Sequence, residues 1–476
     1  MECETSPASL HFVGVGGIGM SALAQMSAAL GIRTTGSDRA AGSPENARIF
    51  HALEAQGIRI YPQDGSVYRD GAPEAVVYST AIEEDNPDFA CAPEGTVRLH
   101  RSAALEKLIA LSHAENRIAV SGTCGKTSVT AHLAEALYHL GADPGMLCGG
   151  LVNAFVSETF AGNYRRGGGG SFVVEADESD KSLLNYTADT AVVLNIGTDH
   201  YSKEELAEVF RKFLAGARRN IVISDRVLDA VGPEACAGRN TVLFSAEPGG
   251  PEYRGFPVFR LDSCRVTPGG GAYCSFDGQS EIPLRAPGHH NAWNALAVYA
   301  ALVQAGFAKA DANRAVGAFS GVWRRFDRAG TLATGAVVYD DYAHNAEKIV
   351  SCADAARSIS SGRVFLLFQP HGYGPFGFMR EELFRVLQAN LRPGDVFGLL
   401  PVYYAGGTSS FKPRAEDVAA SYRALSGDAE RYPYFADREA AGRYLLERTG
   451  KGETVVIMGA RDNSLSIWAK KIVCSA

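Results

Sequence analysis

The chain has no excess of basic residues: 46 lysines and arginines stand against 53 aspartates and glutamates, a formal net charge of −7. That balance excludes a broad positive field for nucleic-acid backbones or anionic membranes, so any phosphate ligand must be held by a local site. The nine scattered cysteines include no CxxC pair and no zinc-like grouping, and an odd count of this kind fits a reducing compartment. No stretch approaches the roughly 18 consecutive apolar residues of a membrane-spanning helix. The opening segment, MECETSPASL, carries acid and no apolar core, so it does not read as a secretory leader. Short-period repeats, heptads and low-complexity tails are missing too. These absences lead to the expectation of a cytoplasmic protein that neither binds nucleic acid nor inserts into a membrane.

What is present is globular: 46% apolar and 21% charged residues over 476 positions, a length that suggests about three domains. Three times a short apolar run gives way to glycine or polar residues and then to a helical pattern, the rhythm of parallel α/β units. The first series predicts a strand over Leu10–Val15, a glycine loop, a helix over Met20–Leu30 and a strand over Ile32–Thr35. The second predicts a strand over Arg117–Ser121, a helix over Lys126–Leu140, and strands over Phe172–Glu175 and Ala191–Ile196. The third predicts strands over Val337–Asp340, Val364–Phe368, Val396–Leu400 and Thr454–Met458. Ser112–Asn116 and Arg328–Gly335 read as linkers, and Gly167–Gly170 and Pro268–Gly271 as loops.

The segment Gly122-Thr123-Cys124-Gly125-Lys126-Thr127-Ser128 sits between a strand pattern and a helix pattern, where a nucleotide triphosphate could meet a helix N-terminus. Glycines let backbone N–H groups approach phosphate, Lys126 would reach the β- and γ-phosphates, and the Thr127 hydroxyl is placed to ligate Mg²⁺. The general GxxxxGK[ST] pattern fails, because Val120 stands where its first glycine belongs. Downstream, Glu175, Asp177, Glu178 and Asp180 cluster at one strand end, and Asp199 and His200 follow another. Ligands of open α/β sheets bind beyond the carboxyl ends of strands, so these segments could converge. Each also has a plain reading: an acidic turn that starts a helix, and a hydrogen-bonded Asp–His pair. The earlier glycine run Gly14-Val15-Gly16-Gly17-Ile18-Gly19, with Asp38 after the next strand, by itself fits a dinucleotide-binding oxidoreductase.

Together these segments resemble the Mur ligase family, ATP-dependent amide-forming enzymes of peptidoglycan precursor synthesis. GTCGKTS is similar to that family's G-T-x-G-K-[ST]-[ST] loop, which accounts for Val120. The other motifs follow in family order: Glu175–Asp180, Asp199-His200, Gly288-His289-His290-Asn291-Ala292-Trp293-Asn294, Arg324-Arg325-Phe326-Asp327 and Asp340-Asp341-Tyr342-Ala343-His344-Asn345. The first region resembles the branch that joins an amino acid, typically L-alanine, to UDP-N-acetylmuramate. Its marks are the glycine run through Met20 and Ser21, Gly36-Ser37-Asp38, the Ser79-Thr80-Ala81-Ile82 turn with Asn86-Pro87, and Arg101.

The resemblance implies three α/β domains: a Rossmann-like UDP-sugar domain over 1–113, a central P-loop ATPase domain with a mostly parallel sheet over 114–328, and a Rossmann-like C-terminal domain over 329–476. It implies that Gly16, Gly17, Ile18, Gly19, Met20, Ser21, Asp38, Ser79, Thr80, Ala81, Asn86 and Arg101 serve the UDP-sugar. ATP would fall to Gly122–Ser128, His290, Asn291, Asn294, Arg325 and Asp341. Mg²⁺ would be held by Thr127, Glu175 and His200, and Lys126, Glu175, His200 and His344 would be catalytic. The implied substrates are ATP, UDP-N-acetylmuramate and an amino acid, in a monomer or homodimer. The alternatives are a related ligase with another amino acid, peptide or carboxylate, and a non-catalytic nucleotide-binding paralogue.

One stretch departs from that branch. F-Q-P-H is typically followed by R-[FY]-[ST]-R, whereas Phe368-Gln369-Pro370-His371 is followed here by Gly372-Tyr373-Gly374-Pro375. Two arginines expected near substrate carboxylates are thereby absent, a change of chemistry rather than a conservative swap. Arg380 could substitute if the loop repacks.

Overall fold

Alternating strands and helices with apolar strand interiors give three α/β domains in this computed structural model, which describes residues 7–43, 46–179, 181–197, 201–267, 270–404 and 411–474. The first sheet is wholly parallel, with strands in the order Arg59–Pro62, Arg33–Asp38, Ser9–Val13, Ala75–Tyr78 and Val97–His100. Its order reverses between Ser9–Val13 and Ala75–Tyr78, and a crevice opens at the carboxyl ends of such a pair. The glycine run follows one of these strands and the Ser79–Ile82 turn the other.

The parallel centre of the second sheet runs Asn240–Ser245, Asn220–Ser224, Thr190–Val193, Asn116–Ser121, Ser171–Glu175 and Gly145–Leu147. Thr190–Val193 is buried throughout, as the runs of β-branched residues in a sheet covered on both faces require. The third sheet runs Asp327–Thr331, Val337–Asp341, Thr454–Met458, Val364–Phe368 and Val396–Leu399; all pairs are parallel except the first. Val364–Phe368 and Thr454–Met458 are buried at every residue, and each large apolar side chain there contributes about 1.5–3 kcal/mol.

Contacts divide the chain into two compact units, the first two sheets falling mainly in one and the third in the other. The segment Arg328–Gly335, expected as a linker, is instead half strand: Asp327–Thr331 pairs antiparallel with Val337–Asp341. Its glycines signalled a break because the register shifts between Arg328 and Gly330, a bulge that Gly330 accommodates at φ 153°. No helix among the described residues is long and apolar enough to cross a membrane.

Candidate active site

The phosphate loop leaves strand Asn116–Ser121 and feeds helix Lys126–His139. Gly122 and Gly125 lie at φ 138° and 87°, and a Cβ at either would come within 3.0 Å of Leu194 Cβ or 2.6 Å of Asn294 Oδ1. Only glycine fits there without strain. The loop is fixed from the side by Asn195: its Oδ1 accepts from Cys124 N at 2.9 Å, and its Nδ2 donates to Cys124 O at 2.9 Å. Gly197 N adds a bond to Thr123 Oγ1 at 2.8 Å.

Neighbouring strand ends deliver carboxylates to the same place. Lys126 Nζ lies 2.6 Å from Glu178 Oε2 and 3.7 Å from Asp177 Oδ1. Burial works against its ammonium, but Glu178, Asp177 and Glu175 outweigh burial and hold its pKa above the ordinary lysine value. The Thr127 hydroxyl donates to Glu175 Oε1 at 3.1 Å, and Gly149 N donates to Glu175 Oε2 at 2.8 Å. A hydroxyl and a carboxylate side by side are the hard oxygen donors Mg²⁺ takes while keeping several of its own waters, so these residues fit that ion. Lys126, Thr127 and Glu175 are thus brought together. Asp180, Asp199 and His200 lie outside the described residues.

Sequence reasoning singled out neither Glu178 as the lysine's partner nor Asn195 as the loop's latch. They stand 52 and 71 residues from the groups they hold, and only parallel strand order reveals the pairing.

In the first domain, Gly17 precedes helix Ile18–Ala29 with no side-chain cap, which leaves the helix N-terminus open to an anion. Asp38 shapes the loop: its Oδ2 accepts from Gly16 N and its Oδ1 from Ala40 N, both at 2.8 Å. Ser21 Oγ donates to Ile18 O and accepts from Asn163 Nδ2, which ties this helix to the central domain. Met20 is core, 5% exposed. Asn86 is buried and caps helix Pro87–Ala90 by accepting from Asp88 N, while its Nδ2 donates to Gln63 Oε1. Ser79, Thr80 and Ala81 occupy the turn beside the glycine run, where Ile82 Cδ1 would lie 3.2 Å from a Cβ at Gly14. Arg101 reaches over Gly19 and pairs with Asp177 at 3.3 Å, linking the glycine run to the acidic segment beside Lys126.

Asn294, at the loop glycine, belongs to the same compact unit, whereas His290 and Asn291 fall in the other. His290 is exposed, its ring close over Gly288, and Asn291 Nδ2 donates to Pro287 O. In the second unit the two adjacent arginines part company. Arg324 is 1% exposed and donates to Asp340 Oδ1, Asp462 O and Gly459 O, a structural assignment. Arg325 is half-buried, its guanidinium 5.6 Å from the Tyr342 ring centroid. Asp341 accepts from Phe326 N and Ala343 N, both at 2.7 Å.

His344 Nδ1 lies 2.9 Å from Tyr342 O. A carbonyl only accepts, so Nδ1 carries the proton and Nε2 keeps its lone pair. Burial, reinforced by Lys348, brings the imidazole down to about 3, so it is neutral. The His371 ring is 5.5 Å away, brought down to about 4 by burial and Arg461. Arg380 is drawn back onto its own helix, Tyr373–Asn390, by Gly377 O and Glu381.

Comparison with known proteins covers the same ground. Family models described as "Mur ligase family, catalytic domain", "Mur ligase middle domain" and "Mur ligase, glutamate ligase domain" match residues 9–113, 120–302 and 324–461. A UDP-N-acetylmuramate–L-alanine ligase of Chelativorans sp. (strain BNC1) is 32% identical, over 98% of both chains. One of Nocardioides sp. (strain ATCC BAA-499 / JS614) is 35% identical, over 95% of this chain and 93% of its own. Among solved structures, UDP-N-acetylmuramate-alanine ligase from Thermotoga maritima superposes with a TM-score of 0.77 at 24% identity, covering 98% of each chain. The murein peptide ligase of Psychrobacter arcticus 273-4 superposes at 0.67 and 20%, again over 98% of each, and these two show the shared fold. With the phosphate loop, the three domains and full-length relatives in agreement, the chain belongs to the Mur ligase family.

Proposed function

We propose that the chain is an ATP-dependent ligase that forms an amide between the lactyl carboxylate of UDP-N-acetylmuramate and an amino acid, with L-alanine the leading acceptor. The observation that carries this reading is Lys126 set among Glu175, Asp177 and Glu178 at a helix N-terminus, with Thr127 bonded to Glu175. A lysine so held is charged and positioned before any nucleotide arrives. Phosphates would take it from Glu178, and the loop's backbone N–H groups would bear the remaining charge. Glu175 and Thr127 would hold Mg²⁺, whose charge would offset that of the phosphates; by resemblance His200 serves a second ion.

Phosphoryl transfer to the carboxylate would give an acyl phosphate, which the acceptor amine attacks with loss of phosphate. His344 offers its Nε2 lone pair to that amine; neutral down to about pH 3, it orients the amine rather than storing its proton. The UDP-sugar would lie at the open N-terminus of Ile18–Ala29, with Arg101 between it and the acidic segment. The functional division is taken as 1–113, 114–328 and 329–476, in a cytoplasmic monomer or homodimer. A second reading, a ligase of the same kind with another acceptor, is favoured by Gly372 and Pro375 standing where two guanidinium groups were expected.

The test is ADP and phosphate release with UDP-N-acetylmuramate, Mg²⁺ and a panel of amino acids. Release with L-alanine supports the leading reading, release with another amino acid alone moves the acceptor, and release with none rejects the ligase. Lys126→Ala is expected to lower turnover by at least about 10²–10³-fold while calorimetry still finds UDP-sugar binding. Undiminished turnover would remove the phosphate loop from the chemistry.

A further inference from the structure

Three parallel strands of the third sheet end in register. Asp341 pairs with Met458, and Met458 with Phe368. Three residues beyond that row on each strand stand His344, Arg461 and His371, with Arg461 on the middle strand. Ligands of such sheets bind beyond the carboxyl ends of the strands. The ladder continues into these loops through Gly459 N to Asp341 O and Gln369 N to Met458 O, so the three side chains leave a fixed platform.

Arg461 sits at φ 67°, a left-handed conformation that costs an arginine and would suit glycine. Its backbone N donates to Tyr342 Oη at 3.2 Å, which anchors the strained turn to the strand beside it. The side chain is exposed, and no hydrogen bond or ion pair of its guanidinium occurs among the described residues. Nearby carboxylates are already engaged: Asp462 by Arg438, Gln369 and Ser464, and Asp341 by Phe326 N and Ala343 N. Beyond the strand ends, then, a guanidinium carried on a strained turn lies near neutral His371, whose ring is 5.5 Å from that of neutral His344, and the carboxylates there are turned to other partners. Such an arrangement calls for an anion from outside.

Resting on the ligase reading above, we infer that Arg461 takes the carboxylate of the acceptor amino acid and so stands in for the arginines missing at Gly372 and Pro375. Arg380 is held by its own helix and Arg324 is buried, so neither serves. A guanidinium grips a carboxylate through two parallel N–H···O bonds, which fixes the acceptor's direction and presents its amine to His344.

The experiment compares wild type, Arg461→Gly and Arg461→Lys, each with an amino acid acceptor and with the primary amide of that amino acid. Arg461→Gly is expected to raise the acceptor KM roughly tenfold or more, leaving the KM values for ATP and UDP-sugar unchanged. It should erase the wild-type preference for free acid over amide, with Arg461→Lys in between. Because glycine relieves the left-handed backbone, its melting temperature should equal or exceed that of wild type, which separates this loss from misfolding. A wild type that uses acid and amide equally, a variant that keeps the preference, or a KM effect on ATP instead would overturn the assignment. Absence of turnover by wild type with every acceptor would reject the ligase reading itself.

Discussion

The two strand-end crevices of this protein are electrostatic opposites. In the central domain one lysine is enclosed by three carboxylates, and Thr123, Cys124 and Thr127 of the phosphate loop are bonded to neighbouring strand ends. In the C-terminal domain two histidines are kept neutral beside Arg325, Lys348 and Arg461, and the acids are occupied elsewhere. On the proposed reading the same fold rule, ligands beyond the strand ends, serves two chemistries. A site for a polyanion and its cation carries its own counter-charge in advance, whereas a site for an amine needs a lone pair and a place for a carboxylate.

The sharpest way to break the contrast is to remove a cation that belongs to neither crevice. Arg324→Ala leaves Asp340 buried without its partner, and unfolding by denaturant should show a loss of about 3–5 kcal/mol. A loss below about 1 kcal/mol would mean that Arg324 is not the structural arginine of the pair. Next comes the phosphate loop. Asn195→Ala removes both bonds to Cys124, so the KM for ATP should rise about 30-fold, at about 1 kcal/mol per bond, with little change in melting temperature. An unchanged KM would show that the loop holds its shape unaided.

The smallest effect concerns pH. Buried His132, in helix Lys126–His139, and His371 lie near 4 and His344 near 3, below the ordinary 6.5. Their folded forms resist protonation that the unfolded chain accepts. The stability each contributes is therefore complete above about pH 6.5 and lost as pH falls towards those values, at most about 1.4 kcal/mol per unit per histidine. His344→Gln should accordingly flatten the decline between pH 6.5 and 5. Parallel curves for variant and wild type would show that His344 titrates normally.

Much of this architecture could be read from the chain. Apolar runs followed by glycine located the strands because a doubly covered parallel sheet needs unbroken β-branched residues. The phosphate loop was legible because its glycines and lysine are local. Glu178 and Asn195 were not, since their partners come from distant strand ends and leave no periodic trace. Arg328–Gly335 misled because a bulge glycine inside a strand looks like a linker glycine. Asp38 and Asn86, which the resemblance implies for the UDP-sugar, also hold backbone in place, a duty no local pattern announces. Arg461 left no pattern at all, for its conformation appears only in the backbone angle.

The shared register of Asp341, Met458 and Phe368 has an evolutionary consequence. With three loops starting from one row, a single substitution three residues on changes one side chain of the crevice without shifting a ladder bond. An insertion of one residue there would displace one side chain against the other two. If Arg461 holds the acceptor as proposed, change of acceptor in this scaffold is open to point substitution in that row.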